Sequence, residues 1–285
     1  MSKVAVVTDS TAYIPKSLVN GHKIEITPLQ LIWGEEQFRD GIDIKPFEFY
    51  NRLQNASIMP STSQTTPMAF KQIYENLLEQ GYDILSIHIS SKLSGTLDSA
   101  IQAKQMIKSN KIELVDSENT GMALGFQALA VATRSANGAT LAECKEIAEI
   151  AKEHTQIYFV VKTLEFLKRG GRIGGAAAFF GTALDLKPIL EIRDGRIEAV
   201  EKVRTFNKAL DRMLDLVENK IGNQTSIRLA IQHTNTPIEA EAFLEKARGR
   251  FGINDVSDAV IAEISPVIGT HTGPGTLGIA FMYGM

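Results

Sequence analysis

The chain has 285 residues, 44% hydrophobic and 22% charged, with 30 Lys and Arg against 33 Asp and Glu. That balance excludes wholesale disorder, leaves room for two domains with a core each, and gives neither nucleic acid nor an acidic membrane a reason to bind. The lone Cys144 rules out an internal disulfide. The start, MSKVAVVTDS, enters a strand without a secretory signal's apolar stretch, and no segment approaches a spanning helix; a cytoplasmic protein without stable membrane insertion is expected.

In chain order, Val4 to Val7 predicts a strand that ends at Thr8, Asp9, Ser10 and Thr11, and HKIEITPLQLIW reads as extended. A helix is predicted near Pro46 to Asn55, followed by a polar loop, MPSTSQTTP. Thr66 is placed to N-cap the next helix, with Pro67 in its first position, where a missing N–H costs little, and Gly81 to end it. DILSIHIS predicts a buried strand, SSKLSGT the entry to another helix, KIELVDS a further strand, and two helices continue to about His154. Cys144 shares a spacing with Leu141, Ala148 and Ala151 that predicts the packed face of the second of these.

IYFVV restarts the pattern as a strand, and the glycine-rich KRGGRIGG interrupts it. KPILEIRDGRIEAVEKV predicts a hairpin turning on Asp194-Gly195. A helix from about Asn207 to Lys220, the strand SIRLAIQH, a helix from Ile238 to Arg248, and the strands DAVIAEI and Leu277 to Phe281 complete the chain. Strands alternating with helices imply βαβ units. The expected fold is α/β in two domains: residues 1–155 with a mainly parallel sheet flanked by helices, and residues 156–285 as an α+β layer.

Three segments are dense in hydroxyls: STSQTT at 61–66, SSKLSGT at 90–96 and GTHTGPGT at 269–276. The second follows a strand and opens a helix, where ligands of open α/β sheets bind and helix N–H groups favour negative charge. His271, between Thr270 and Thr272, is read as lying in a strand-entry loop suited to an anion, a metal, a catalytic base or a plain turn. The five histidines show no metal-ligand spacing, and His88, inside an apolar strand, reads as a hydrogen-bonded core residue. A Ser94–His271 nucleophile oriented by Asp9 or Asp116 is a second reading, although the full G-x-S-x-G elbow is absent. KRGGRIGG lacks the G-K-[ST] ending of a phosphate loop, so nothing supports ATP binding.

Taken in order, VTDSTAYIP, PSTSQTTP, ISSKLSGT, VDSENTGMALG, TLEFLKRGGRIGG, KPILEIRDG, KVRTFNKAL and ISPVIGTHTGPGTLGIAF resemble the DegV family of bacterial fatty-acid-binding proteins, the lipid-binding partners of a fatty-acid kinase. The resemblance spans nearly the whole chain. It implies a non-enzymatic carrier in phospholipid metabolism, with no cofactor, that holds a long-chain fatty acid in a tunnel between or beside the two domains. Thr62, Ser94 and His271 would bind its carboxyl group, supported by Ser63, Gly95, Thr96, Thr270 and Thr272. Arg172, with Arg169, would contact the kinase or the nascent phosphate, an anion that the guanidinium fork suits. The apolar stretch AAAFFGTALDL would be a helix or lid over the tail. Fifteen buried methylenes offer roughly 12 kcal/mol, so the head-group contacts serve orientation. The remaining alternatives are a Ser/His hydrolase or acyltransferase, and a phosphate-binding regulatory module without lipid.

Overall fold

The computed structural model describes residues 3–180, 186–252 and 256–285. Its first sheet is parallel throughout, in the order β2-β1-β6-β7, from β1 (Lys3–Asp9), β2 (Ile24–Thr27), β6 (Tyr82–His88) and β7 (Ile112–Asp116). A second, antiparallel sheet sets β3 (Gln30–Trp33) between β4 (Glu36–Arg39) and β5 (Ser61–Ser63). The extended HKIEITPLQLIW is therefore two strands that serve different sheets, broken at Pro28. The third sheet runs β10-β9-β8-β13-β11-β12. Its strands are β8 (Thr155–Val160), β9 (Lys187–Arg193), β10 (Arg196–Val203), β11 (Ile227–His233), β12 (Val256–Glu263) and β13 (Leu277–Met282), and among them only β11–β12 pairs in parallel.

The helices are α1 (Lys16–Val19), α2 (Pro46–Gln54), α3 (Pro67–Glu79), α4 (Thr96–Ile107), α5 (Gly121–Ala136), α6 (Leu141–Glu153), α7 (Glu165–Arg169), α8 (Phe206–Ile221), α9 (Pro237–Phe251) and α10 (Pro266–Thr272). Local signals account for several of them. Thr66 Oγ1 accepts from Ala69 N ahead of Pro67, as its spacing predicts, and Thr140 with Glu143 forms a capping box before α6. At the β9–β10 tip, Asp194 (φ 50°) and Gly195 (φ 73°) both take positive φ, the conformation of a tight hairpin turn. Cys144 is buried on α6, in the same core as Ala148 and Ala151.

Alternation along the third sheet separates its two faces. Leu229, Ile231, Ile279 and Phe281 point toward α8 and α9. Ala230, Ala280, Ile157 and Phe159 point the other way, into a core they share with α5 and with Val4, Val6 and Leu85 of the first sheet. Almost the whole first two-thirds of α5 is buried, since it lies between the two larger sheets. That shared layer contains the cavity.

Three expectations are corrected. His271 is not in a strand-entry loop: Ser265 and Pro266 start a short helix, α10, and Thr270, His271 and Thr272 form its last turn. Residues 61–63 of the STSQTT segment form the edge strand β5, with Thr62 opposite Leu31. The apolar helix or lid expected in AAAFFGTALDL is a 3-10 turn over Gly174–Phe179, and residues 181–185 lie outside the described residues. Among the described residues no helix is long and apolar enough to cross a membrane.

Candidate functional site: a cavity with a hydroxyl and histidine cluster

Between the sheets lies a cavity with about 880 Å³ of atom-free space, the solvent-filled mouth included. Ile157, Phe159, Ile192 and Ile197 form its floor on the third sheet, and Leu29, Ile89, Leu167, Ile264, Val267 and Ile268 close other sides. Gly278, opposite both Phe159 and Gln232 in the sheet register, leaves a gap in that floor.

Against this apolar wall stands a polar cluster drawn from four parts of the chain. Thr62 Oγ1 on β5 and His271 Nε2 on α10 are 2.8 Å apart. Arg172 follows α7; its Nε donates to Leu93 O at 3.1 Å and its Nη1 to Gly170 O at 2.6 Å, so it sits beside Ser94 and near enough to His271 to affect its titration. Thr62, Ser63, Ser94, Arg172, His271 and Thr272 all line the cavity. The structure thus brings together segments that lie far apart in the sequence.

The supporting residues divide. Thr96 is fully buried and its Oγ1 lies 2.8 Å from Ser94 Oγ, which fixes that hydroxyl. Gly95 lies outside the lining and packs on Gln64, which does line it: a Cβ at Gly95 would stand 3.1 Å from Gln64 Nε2. The hydroxyls of Thr270 and Thr272 donate to the carbonyls of Pro266 and Ile268 inside α10. Arg169 is exposed, paired with Glu165 at 4.0 Å, and not part of the lining.

Electrostatics at the cluster follow from burial. Enclosure, reinforced by the positive charge of Arg172, lowers His271 to about 4, so its imidazole is neutral at neutral pH. Its Nδ1 is buried and has no partner among the described residues. The ring lies hard against Gly170, where a Cβ would stand 2.0 Å from Nδ1. The first glycine of KRGGRIGG is thus a seat for the imidazole, a role its sequence context does not announce.

The helix that carries His271 is anchored from the second sheet. Asp40, just after β4, accepts from Val267 N at 3.2 Å and from Ser10 Oγ and Ser265 Oγ at 2.7 Å each. It therefore caps α10, a role the Ser265 side chain does not fill. Burial raises Asp40 to about 6 despite those donors. Tyr13, a lining residue, has its hydroxyl 3.2 Å from Ser265 Oγ; burial, then the Asp40 charge, raises its pKa well above the usual value. Ser90 Oγ donates to Gly195 O at 2.8 Å, tying the β9–β10 hairpin tip to the loop that carries Ser94.

A hydrolytic arrangement is not assembled. Ser94 Oγ pairs with Thr96 and His271 with Thr62. Asp9 instead holds His88 Nδ1, at 3.1 Å, and Ile89 N, at 2.9 Å, while Asp116 takes Ser91 Oγ at 2.5 Å. His88 is the hydrogen-bonded core residue expected, its Nε2 lying 2.6 Å from Ser86 Oγ. Among the described residues no group of His, Cys, Asp and Glu could hold a metal ion.

Fold and cavity together define an α/β protein built around an apolar pocket with a polar cluster. The model of the DegV family, described as uncharacterised proteins, matches residues 3–284, and the chain belongs to that family. It is 39% identical over 277 residues to a DegV domain-containing protein of Streptomyces coelicolor, covering 97% of each. Among solved structures it resembles a DegV family protein from Thermus thermophilus described by its fatty acid binding (33% identity, TM-score 0.91, 99% of each chain). It also resembles DegV of Bacillus subtilis, described as a fatty acid binding protein (36% identity, TM-score 0.89, 99% of this chain and 100% of that one).

Proposed function

We propose that this chain binds one long-chain fatty acid in the cavity and presents its carboxyl group to a fatty-acid kinase, without catalysing a reaction itself. The observation that carries the reading is the Thr62–His271 pair, with Ser94 and Arg172, set against the apolar floor of Ile157, Phe159, Ile192 and Ile197 in one cavity. Hydroxyls and a neutral imidazole suit a carboxyl group, and Arg172 supplies the one positive charge in the lining. The relatives described as fatty acid binding support the same ligand class. In this reading the chain divides near residue 155, and the acid lies between the halves, touching β5 and the Ser94 loop on one side and β8, β13 and α10 on the other. Arg172 serves the carboxyl or the phosphate formed on it, and Arg169, on the exposed side of α7, faces the kinase.

The test is an organic extract of the purified protein after denaturation, analysed by mass spectrometry. A stoichiometric long-chain fatty acid is expected, and its phosphorylation in place by an ATP-dependent fatty-acid kinase tests presentation. An empty protein that turns over esters would favour the hydrolase, and an empty one that binds phosphate would favour the regulatory module.

A further inference from the structure

A second polar point lies in the same cavity, on elements other than those of the carboxyl cluster. Gln232 on β11 and Thr120 at the start of α5 both line it, and they are only 1% and 8% exposed. Gln232 Oε1 accepts from Met122 N at 2.9 Å, which fixes the amide's orientation, since the flipped amide would set N–H against N–H. Its Nε2 therefore carries two donors, and these have no partner among the described residues; nor has Thr120 Oγ1. The Thr120 side chain makes no capping bond, and Gln232 Oε1 caps α5 in its place, so both residues sit at the partially positive start of a 16-residue helix. The amide is held in place from behind: Gly121, at φ +64°, lies so close that a Cβ would stand 2.2 Å from Gln232 Oε1.

Buried donors without acceptors are costly and are normally matched by a ligand or a bound water. Here an amide NH₂, a hydroxyl and a helix N-terminus converge on a wall that an acyl chain would follow. All three favour an oxygen acceptor. Neither residue carries a charge, so a neutral oxygen suits the point better than a second carboxylate. Resting on the fatty-acid reading above, we propose that Gln232 and Thr120 form a second subsite that takes the oxygen of a hydroxyl or keto group borne along the acyl chain. The protein then prefers oxygenated fatty acids with the substituent at one position. A site built to hydrogen-bond a substituent discriminates against the analogue that lacks it.

The experiment uses full-length protein stripped of endogenous lipid, with affinities measured by displacement of a fluorescent fatty acid. Stearate is compared with a positional series of hydroxystearates and oxostearates. One position should bind more tightly than stearate by about tenfold, the scale of one well-made buried hydrogen bond, and the other positions more weakly. Gln232→Leu should abolish that preference. Because Gln232 also caps α5, Thr120→Val, which leaves the cap intact, should reduce the preference independently, with stearate affinity affected less than in Thr62→Ala. A wild-type protein that binds stearate but prefers no oxygenated isomer overturns the subsite alone, and marks the point as one for an ordered water. Loss of stearate affinity in Thr120→Val as large as in Thr62→Ala also overturns it, by making Thr120 part of the carboxyl cluster. Failure to bind any acyl chain overturns the fatty-acid reading and the subsite with it.

Discussion

Gly170→Ala is expected to weaken fatty-acid binding while leaving the fold intact. Gly170 has φ −74° and ψ −6°, a conformation alanine adopts freely. The unfolded-chain gain of Gly→Ala, about 0.4–1 kcal/mol, partly offsets the cost of displacing the His271 ring. The added Cβ would stand 2.0 Å from His271 Nδ1 and 2.9 Å from Cε1, so the ring must move. Moving it breaks the 2.8 Å contact between Nε2 and Thr62 Oγ1 and shifts the imidazole from the head-group position. One to two hydrogen bonds to a buried polar group are at stake, about 1–3 kcal/mol, or roughly fivefold to 150-fold in Kd. Gly171→Ala is the control. It has φ +71° with open space around it, so it should cost stability, about 1–2 kcal/mol, with little effect on binding. Displacement titrations and melting curves on both variants separate the two effects. Wild-type affinity in Gly170→Ala, with the ring still paired to Thr62 in a crystal structure, would refute the idea that this glycine seats the histidine.

Thr62→Ala and Ser94→Ala should each weaken or misorient the bound acid by about 1–2 kcal/mol without unfolding the chain, as read by titration and by kinase turnover. Arg172→Ala should lower kinase-dependent phosphorylation, and Arg172→Lys should lower it too, because a lysine keeps the charge but cannot reproduce the fork that spans Leu93 O and Gly170 O; full phosphorylation in Arg172→Lys would refute a role for the fork. Burial lowers His271 to about 4, so the unfolded chain takes up that proton first, and His271's contribution is complete above about pH 6.5 and lost as pH falls toward 4. Asp40, raised to about 6, works oppositely, its contribution being present below about 3.8 and lost as pH rises through 6. Asp40→Asn should therefore steepen the fall in Tm on acidification from pH 6.5 to 4, and an unchanged slope would refute the opposition. Removing two methylenes from a saturated acid should raise Kd roughly fifteenfold at about 0.8 kcal/mol each, by the same factor in wild type and Thr62→Ala.

Much of this architecture was legible because its signals are local. Thr66 with Pro67, Asp194 with Gly195 and the apolar run around His88 each specify an element within a few residues. The three hydroxyl-dense segments were visible too. Their convergence was not, because it depends on pairings between distant strands, such as Thr62 opposite Leu31. Helix α10 escaped a reading by periodicity since seven residues make barely two turns, and the Ser265-Pro266 start was its remaining signal. Gln232 did leave a trace. It is an amide in the strand SIRLAIQH, on the same phase as Ala230 and hence facing the core, where a polar side chain calls for a partner. Gly170 left none, because its role is set by the imidazole of His271, about a hundred positions away.

The chemistry of the cluster suits a molecule that must hold an acid and also give access to it. A carboxylate locked in a buried, fully paired ion pair is hard to reach, since separating such a pair costs about 3–5 kcal/mol. Here the guanidinium of Arg172 is already bound to two backbone carbonyls, the imidazole is neutral, and the other donors are hydroxyls. Such a cradle orients the head group with bonds that largely replace those made to water. In the proposed function retention falls to the acyl tail along Ile157, Phe159, Ile192 and Ile197, whose burial would not depend on the charge or phosphorylation state of the head. Under the proposed function a kinase could therefore change the head-group chemistry while the tail keeps the ligand in place. In the proposed function that separation matches the lining, where Thr62, Ser94, Arg172 and His271 meet from four chain segments and Ile157, Phe159, Ile192 and Ile197 offer the tail an apolar floor.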